Sequence, residues 1–292
     1  MINCFLIGYG QWGKKINKSV NNLKKIQIIK IYKRYLSKRY KKNNLFTDNI
    51  NFIENKKVNS VIISSSNESH FYYAKKSLLQ KKNVFLEKPA CYKEKEFTEL
   101  LNIANKNKCV LHINYVHLYD QNIINLIFNY NLIKSINKNK KITKVYIELG
   151  KKLINNNFYN NYWDWTPHIF SIIALIDPSV KIRIKKILFK NNIINFEFEH
   201  KKIKYFCKYG YGFKSKKFKL QIKYDKYIFL KEKNKNVVKF KNKIIEDFTI
   251  NNLPLNNSIE KYKYKIIDRK IMLNNEFLNI TKFLDKNYKN IF

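Results

Sequence analysis

Near its start the chain carries a short apolar run, Cys4-Phe5-Leu6-Ile7, that passes straight into Gly8-Tyr9-Gly10-Gln11-Trp12-Gly13. A lysine-rich segment of helical character follows, from Lys14 to Lys25. Strand, glycine turn and helix in that order restrict the fold more than any other feature here. The first glycine permits the tight turn, the second lets a pyrophosphate approach the backbone, and the third lets helix and strand pack closely. The helix start then offers N–H groups and a positive dipole end to phosphates. A glycine-rich turn without a ligand is the alternative. Scarcity argues against it, because the chain has 6 glycines and this one motif holds three of them.

The next apolar run, Ile26 to Tyr32, reads as a second strand and ends in Lys33-Arg34. An acidic residue about 20 positions past the glycines holds the ribose hydroxyls where NAD is preferred. Lys33 stands there instead, and a basic pair suits the 2′-phosphate of NADP. NAD or NADP is therefore expected, with NADP favoured. A third strand, Val58 to Ile63, leads into Ser64-Ser65-Ser66-Asn67-Glu68-Ser69-His70 and a helix to about Gln80. The strand Asn83 to Leu86 then delivers Glu87-Lys88-Pro89. Alternating strands and helices predict parallel βαβ units, with ligands at the carboxyl ends of the strands.

Charge decides less than its size implies. Lys and Arg number 59 against 21 acidic residues, a net charge of +38. In an ordinary chain this points to nucleic acid or a membrane surface. Here Lys, Asn, Ile, Tyr and Phe are all abundant while Gly, Pro and Trp are scarce, as codon drift toward A and T produces whatever the function. The lysines are also dispersed along the chain. No nucleic-acid or membrane partner is expected; a nucleic-acid-binding protein would need basic residues clustered with aromatics on one face. No apolar run reaches the roughly 18 residues of a membrane span. Cys4, Cys91, Cys109 and Cys207 have neither metal-site nor disulfide-framework spacing, which fits a reducing cytoplasm and no metal.

The glycine turn, the serine-rich turn with Asn67 and His70, and Glu87-Lys88-Pro89 together resemble the glucose–fructose oxidoreductase / inositol dehydrogenase (Gfo/Idh/MocA) family. Tyr162-Trp163-Asp164-Trp165-Thr166-Pro167-His168 extends the likeness, being similar to the Trp-Asp-x-x-Pro-His segment of a branch common among sugar-modifying dehydrogenases. The resemblance runs over roughly residues 2 to 230. It implies that Lys88 contacts substrate and cofactor and that His168 is the general acid/base, with Asp164 four residues earlier on the same helix face. It places Gly8, Tyr9, Gly10, Gln11, Trp12, Gly13, Lys33, Arg34, Ser65, Asn67, His70, Glu87 and Lys88 at the cofactor. The implied substrate is a sugar or nucleotide sugar. Ser64-Ser65-Ser66 departs from the family's more usual Thr-Pro turn, and Ile169 stands where the branch often has Asp. A dinucleotide-binding sensor or assembly protein without catalysis is the alternative function.

Beyond about residue 120 the alternation stops. Ile142 to Leu149 reads as a strand, and Ile182–Lys190, Ile193–His200, Ile203–Lys208, Phe218–Tyr224 and Tyr227–Lys231 follow the His168 helix. Alternation of apolar residues with Lys or Glu predicts a sheet with one wet face. Asn191-Asn192 and Asp225-Lys226 are turn signals, and a last helix is expected from about Ile259 to Leu284. The expected fold is therefore α/β: a Rossmann doubly wound parallel sheet over 1–118, then an α+β domain with a largely antiparallel sheet over 119–292. The resemblance further implies a homo-oligomer through that second sheet.

Overall fold

The computed structural model describes residues 1–137, 142–152, 158–180, 184, 187–233, 235–250, 253–268, 281–282, 284–286 and 288. They form two compact units, one of Met1–Tyr115 with Leu255–Asp285, the other of Val116–Pro254 with Lys286–Phe292.

In the first unit six strands, β1 (Ile2–Ile7), β2 (Ile26–Tyr32), β3 (Phe46–Thr47), β4 (Ser60–Ile63), β5 (Asn83–Glu87) and β6 (Leu111–Asn114), form one sheet in the order β3-β2-β1-β4-β5-β6. All five pairings are parallel. Helices α1 (Gln11–Asn21), α2 (Lys38–Lys41), α3 (His70–Leu79) and α4 (Glu94–Lys106) lie between them in sequence. The order reverses between β1 and β4, and the carboxyl ends there leave the crevice in which doubly wound sheets bind ligands. Strands covered on both faces read as unbroken apolar runs, and Val61, Ile62 and Ile63 are all fully buried.

The second unit opens with α5 (Gln121–Ile136), β7 (Thr143–Lys152) and α6 (Phe158–Ile176). Seven further strands follow: β8 (Ile187–Lys190), β9 (Ile193–His200), β10 (Ile203–Gly210), β11 (Gly212–Tyr224), β12 (Tyr227–Glu232), β13 (Lys235–Phe240) and β14 (Lys243–Asp247). The sheet runs β14-β13-β12-β11-β7-β10-β9-β8. Only β7 and β10 pair in parallel; the rest are antiparallel. Val145, Ile147 and Leu149 of β7 are buried, Tyr146 and Glu148 between them are half-buried and Lys144 before them is exposed, the one-wet-face pattern. Phe170 of α6 stacks on Phe196 of β9, with ring centroids 5.9 Å apart. The expected turns occur, with Asn191, Asn192 and Asp225 at positive φ. Of the strand expected over Ile182–Lys190, only Ile187 onward is a described strand.

The expected domain limits need correction at both ends. The first unit ends at Tyr115, and the stretch Leu255–Asp285 belongs to it rather than to the second domain. The cause is a helix, α7 (Pro254–Ile267). Its Ile259 and Tyr262, three residues apart on one face, complete the core made by Ile2, Cys4, Leu6 and Phe85 under α1. The Tyr262 hydroxyl also bonds Ser60 Oγ of β4. The helix expected to run to Leu284 ends at Ile267, and residues 269–280 lie outside the described ones.

Candidate active site

The three glycines of the turn each answer a different demand. Gly8 sits at φ +94°, and a Cβ there would lie 2.7 Å from the Ser64 carbonyl. A Cβ on Gly13 would press on the Gly8 carbonyl oxygen and come within 2.9 Å of Ser64 Oγ. That hydroxyl itself donates to Gly8 O at 3.0 Å, so β4 holds the turn from below. A Cβ on Gly10 would meet nothing within 4 Å. Chain packing therefore requires glycine at 8 and 13, while at 10 the open side faces outward, where a bound group needs the room. Gly10 also caps α1 without a side chain to occupy its first N–H groups, and no acidic residue lies in the first helical turn. These residues fit a dinucleotide pyrophosphate.

A cavity of about 450 Å³ opens beside this turn, lined by Gly8, Tyr9, Gly10, Lys33, Arg34 and Ser65 among others. Six of the sequence-predicted cofactor residues thus share one cleft. Tyr32, Tyr35, Ser66, Ser69 and Tyr73 line it too and were not anticipated. Arg34 is exposed and its guanidinium bonds the Tyr73 hydroxyl, which raises the arginine further above its usual value. Gln11 is exposed and Asn67 half-buried in a short turn, and neither lines this cavity.

Trp12, His70 and Glu87 turn inward instead. The Trp12 indole donates to Glu87 Oε1, and Asn114 Nδ2 donates to the same oxygen at 2.5 Å. His70 is buried, with Nδ1 at 2.7 Å from Pro89 O and Nε2 at 3.2 Å from Ser65 O. Burial holds its pKa below the ordinary value. His70, expected at the cofactor, bridges the serine turn and the segment after β5. The neutral imidazole has one N–H, so it donates to one of these carbonyls while its other nitrogen stands against the second.

Burial pushes the Glu87 carboxyl up to about 7, against the pull of its Asn114 and Trp12 bonds. The native chain then holds a proton that the unfolded chain, near 4.5, releases. The contribution is full below about 4.5 and is lost as pH rises through about 7. Stability of the wild type relative to Glu87→Gln is expected to fall by at most about 3 kcal/mol across that window. Denaturant titrations at a series of pH values measure it, and a difference independent of pH contradicts a buried neutral carboxyl.

In the second unit α6 carries Asp164, Trp165 and His168. The Tyr211 hydroxyl, from the turn between β10 and β11, donates to Asp164 Oδ2 at 2.5 Å. Burial first, then this carboxylate, raises the Tyr211 pKa. The Tyr211 backbone N–H donates to buried Asn161 Oδ1 at 2.9 Å, one helical turn before Asp164. The Trp165 ring meets Tyr211 edge-on at 5.6 Å. His168 stands 4.8 Å from the ring of His117, centroid to centroid, and 6.2 Å from Trp165. The Lys151 ammonium lies over the Tyr211 ring. A carboxylate, a phenol, two imidazoles and a cation thus gather on aromatic walls, a set able to bind hydroxyls and move a proton.

Residues 2–115 match the family model described as "Oxidoreductase family, NAD-binding Rossmann fold", GFO_IDH_MocA. Over these residues, its first domain, the chain is similar to the Gfo/Idh/MocA oxidoreductases. No curated protein sequence matches it. Solved structures share its fold over nearly the whole chain at low identity. A Gfo/Idh/MocA family oxidoreductase from Vibrio cholerae is 12% identical at TM-score 0.77, covering 100% of this chain and 98% of its own. A 3-ketoreductase from Actinomadura kijaniata, solved with TDP-benzene and NADP, is 11% identical at TM-score 0.83, covering 97% and 96%. UDP-N-acetylglucosamine 3-dehydrogenase from Acidithiobacillus ferrooxidans is 10% identical at TM-score 0.78, covering 98% and 96%.

His117, Tyr211 and Lys151 are the residues that sequence reasoning missed in the second unit. For Tyr211 and Lys151 a signal existed. The glycines outside the turn are Gly150, Gly210 and Gly212, and they flank these two residues. A Cβ on Gly150 would strike the Phe213 ring and the Gly210 carbonyl, and one on Gly210 would lie 2.5 Å from Asn161 Oδ1. Glycine is retained in both units where backbones crowd beside a candidate site. His117 had no such flag, for its approach to His168 depends on the tertiary fold. Among the described residues no helix is long and apolar enough to cross a membrane, and no group of three or more His, Cys, Asp or Glu is placed to hold a metal.

Proposed function

We propose that the chain is an NAD(P)-dependent oxidoreductase acting on a hydroxyl- or keto-bearing carbon of a sugar or nucleotide sugar. The observation that carries the proposal is the open side of Gly10 in a turn whose other two glycines are demanded by packing. The bound nicotinamide supplies the hydride acceptor or donor. His168 takes the hydroxyl proton on oxidation and returns it on reduction, a role suited to imidazole near neutral pH. Asp164, fixed by the Tyr211 hydroxyl, accepts a hydrogen bond from the imidazole or from a sugar hydroxyl. Lys88 follows the last buried residue of β5 and provides a cation for the oxygen on which charge develops. The resemblance to sugar-modifying dehydrogenases and the aromatic walls around Asp164 and His168 support a sugar substrate. The structural neighbours named for TDP-ligand and UDP-sugar chemistry direct the screen toward nucleotide sugars. A homo-oligomer through the second unit's sheet is part of the same proposal.

Preference for NADP rests on Arg34 at the rim of the cleft with Lys33 beside it. Arg34→Ala is expected to weaken NADPH on the order of tenfold or more and NADH much less, since a charge-assisted bond to phosphate is lost only with the former. Parallel fluorescence titrations check this, and equal losses for both dinucleotides contradict a 2′-phosphate site. The reaction is tested by following nicotinamide absorbance with UDP- and TDP-linked sugars in both directions. Turnover of none of them, by protein that binds the dinucleotide, removes the nucleotide-sugar assignment.

A further inference from the structure

We infer that Glu87 is a positioning residue of the dinucleotide site, held by a chain of buried donors that runs back through Asn114 and Ser258 to helix α7. All of these groups lie in the first unit.

The direction of every bond follows from the donors available. Ser258 Oγ has one proton and gives it to Asn114 Oδ1 at 2.7 Å. Its oxygen is then an acceptor, so His112 Nε2, at 3.0 Å, carries the imidazole proton. His112 Nδ1 keeps its lone pair, and the Lys265 ammonium faces it at 3.5 Å. Asn114, with Oδ1 taken by the serine, turns its Nδ2 to Glu87 Oε1. The opposite amide orientation would set a carbonyl against the carboxyl oxygen. Each group therefore donates toward Glu87, and the Trp12 indole donates to the same oxygen from the other side. His112, Asn114, Ser258 and Lys265 are all at most 6% exposed.

The place where the chain ends gives it a function. Trp12 stands between Gly10 and Gly13, in the first turn of α1, whose N–H groups would receive the pyrophosphate. Glu87 immediately precedes Lys88. One carboxyl oxygen thus joins the phosphate-binding turn to the strand end that carries Lys88. Ser258 and Lys265, far away in sequence, make α7 part of that support. Because both bonds fall on Oε1, glutamine can keep them through its carbonyl, whereas leucine keeps neither.

The inference rests on the dinucleotide reading for one of its two measurements only. The first observes the indole N–H resonance of Trp12, assigned as the signal missing from Trp12→Phe. Glu87→Gln is expected to leave it near its wild-type position and Glu87→Leu to move it toward that of an unbonded indole, with a smaller shift in Ser258→Ala. The second is the affinity for NADH and NADPH alongside thermal stability. Glu87→Gln is expected within about threefold of wild type, Ser258→Ala a few-fold weaker, and Glu87→Leu weaker by about tenfold or more. An unmoved Trp12 signal in Glu87→Leu overturns the inference whatever the protein binds. So does unchanged affinity in Glu87→Leu or Ser258→Ala when only their stability drops, for that describes a structural role alone. If the wild type binds neither dinucleotide, the proposed function falls, and the Trp12 signal still decides whether Glu87 holds the turn.

Discussion

Gly13→Ala is expected to lose stability and dinucleotide binding together, while Gly10→Ala loses binding alone. A methyl group on residue 13 has the Gly8 carbonyl oxygen and Ser64 Oγ in its way. The first of these is backbone and cannot rotate aside. To make room, α1 must lift from β1, which opens the packing of Ile16 and Val20 against Cys4 and Leu6. Changes of this kind reach on the order of 3 kcal/mol or more. A methyl on residue 10 meets no protein atom within 4 Å, so the denaturation midpoint should stay near that of the wild type. It does occupy the space through which phosphates approach the α1 terminus, and binding should weaken by at least about tenfold. Denaturant unfolding and dinucleotide titration of the two variants side by side measure both quantities. Equal binding by Gly10→Ala and wild type would show that nothing is bound over that turn.

His168→Ala is expected to lower kcat by about 10² to 10⁴-fold, the range of general acid–base catalysis, with dinucleotide affinity unchanged. The ring is half-buried, and its neighbours His117 and Trp165 belong to the same unit. Truncation should therefore leave the fold intact. Lys88→Ala is expected to match it in kcat, and Tyr211→Phe to show a smaller loss, because only the bond that orients Asp164 disappears. Normal turnover in both His168→Ala and Lys88→Ala removes them from catalysis. A dinucleotide sensor without catalysis would behave differently again, keeping its affinity and having no turnover to lose.

What could be read from the sequence followed from burial and from scarcity. Runs such as Val61-Ile62-Ile63 announce strands covered on both faces, and the glycine turn places β1 and α1 at once. The turns at Asn191-Asn192 and Asp225-Lys226 were visible because those residues tolerate positive φ. Others were hidden. Lys201, Lys233 and Lys241 also stand at positive φ, where glycine or asparagine is the usual marker. Strands β13 and β14 went unrecognised with them, in a chain where glycine is so rare. Helix α5 was missed as well, because its apolar residues surround the axis without forming a stripe. The place of α7 was beyond sequence order altogether, since nothing in Ile259 or Tyr262 says that they return to the first core. At the candidate site the turn, the basic pair and the α6 motif were visible in the sequence. The position of His70 against two backbone carbonyls was not legible there, since it depends on the fold.

The most direct test of the central claim is titration of the purified chain with NADH and NADPH, following nicotinamide fluorescence, with Gly10→Ala measured in parallel. Micromolar binding by the wild type, tighter for NADPH and lost in an equally stable Gly10→Ala, is the predicted result. Absence of binding for both dinucleotides in folded wild-type protein would contradict the account.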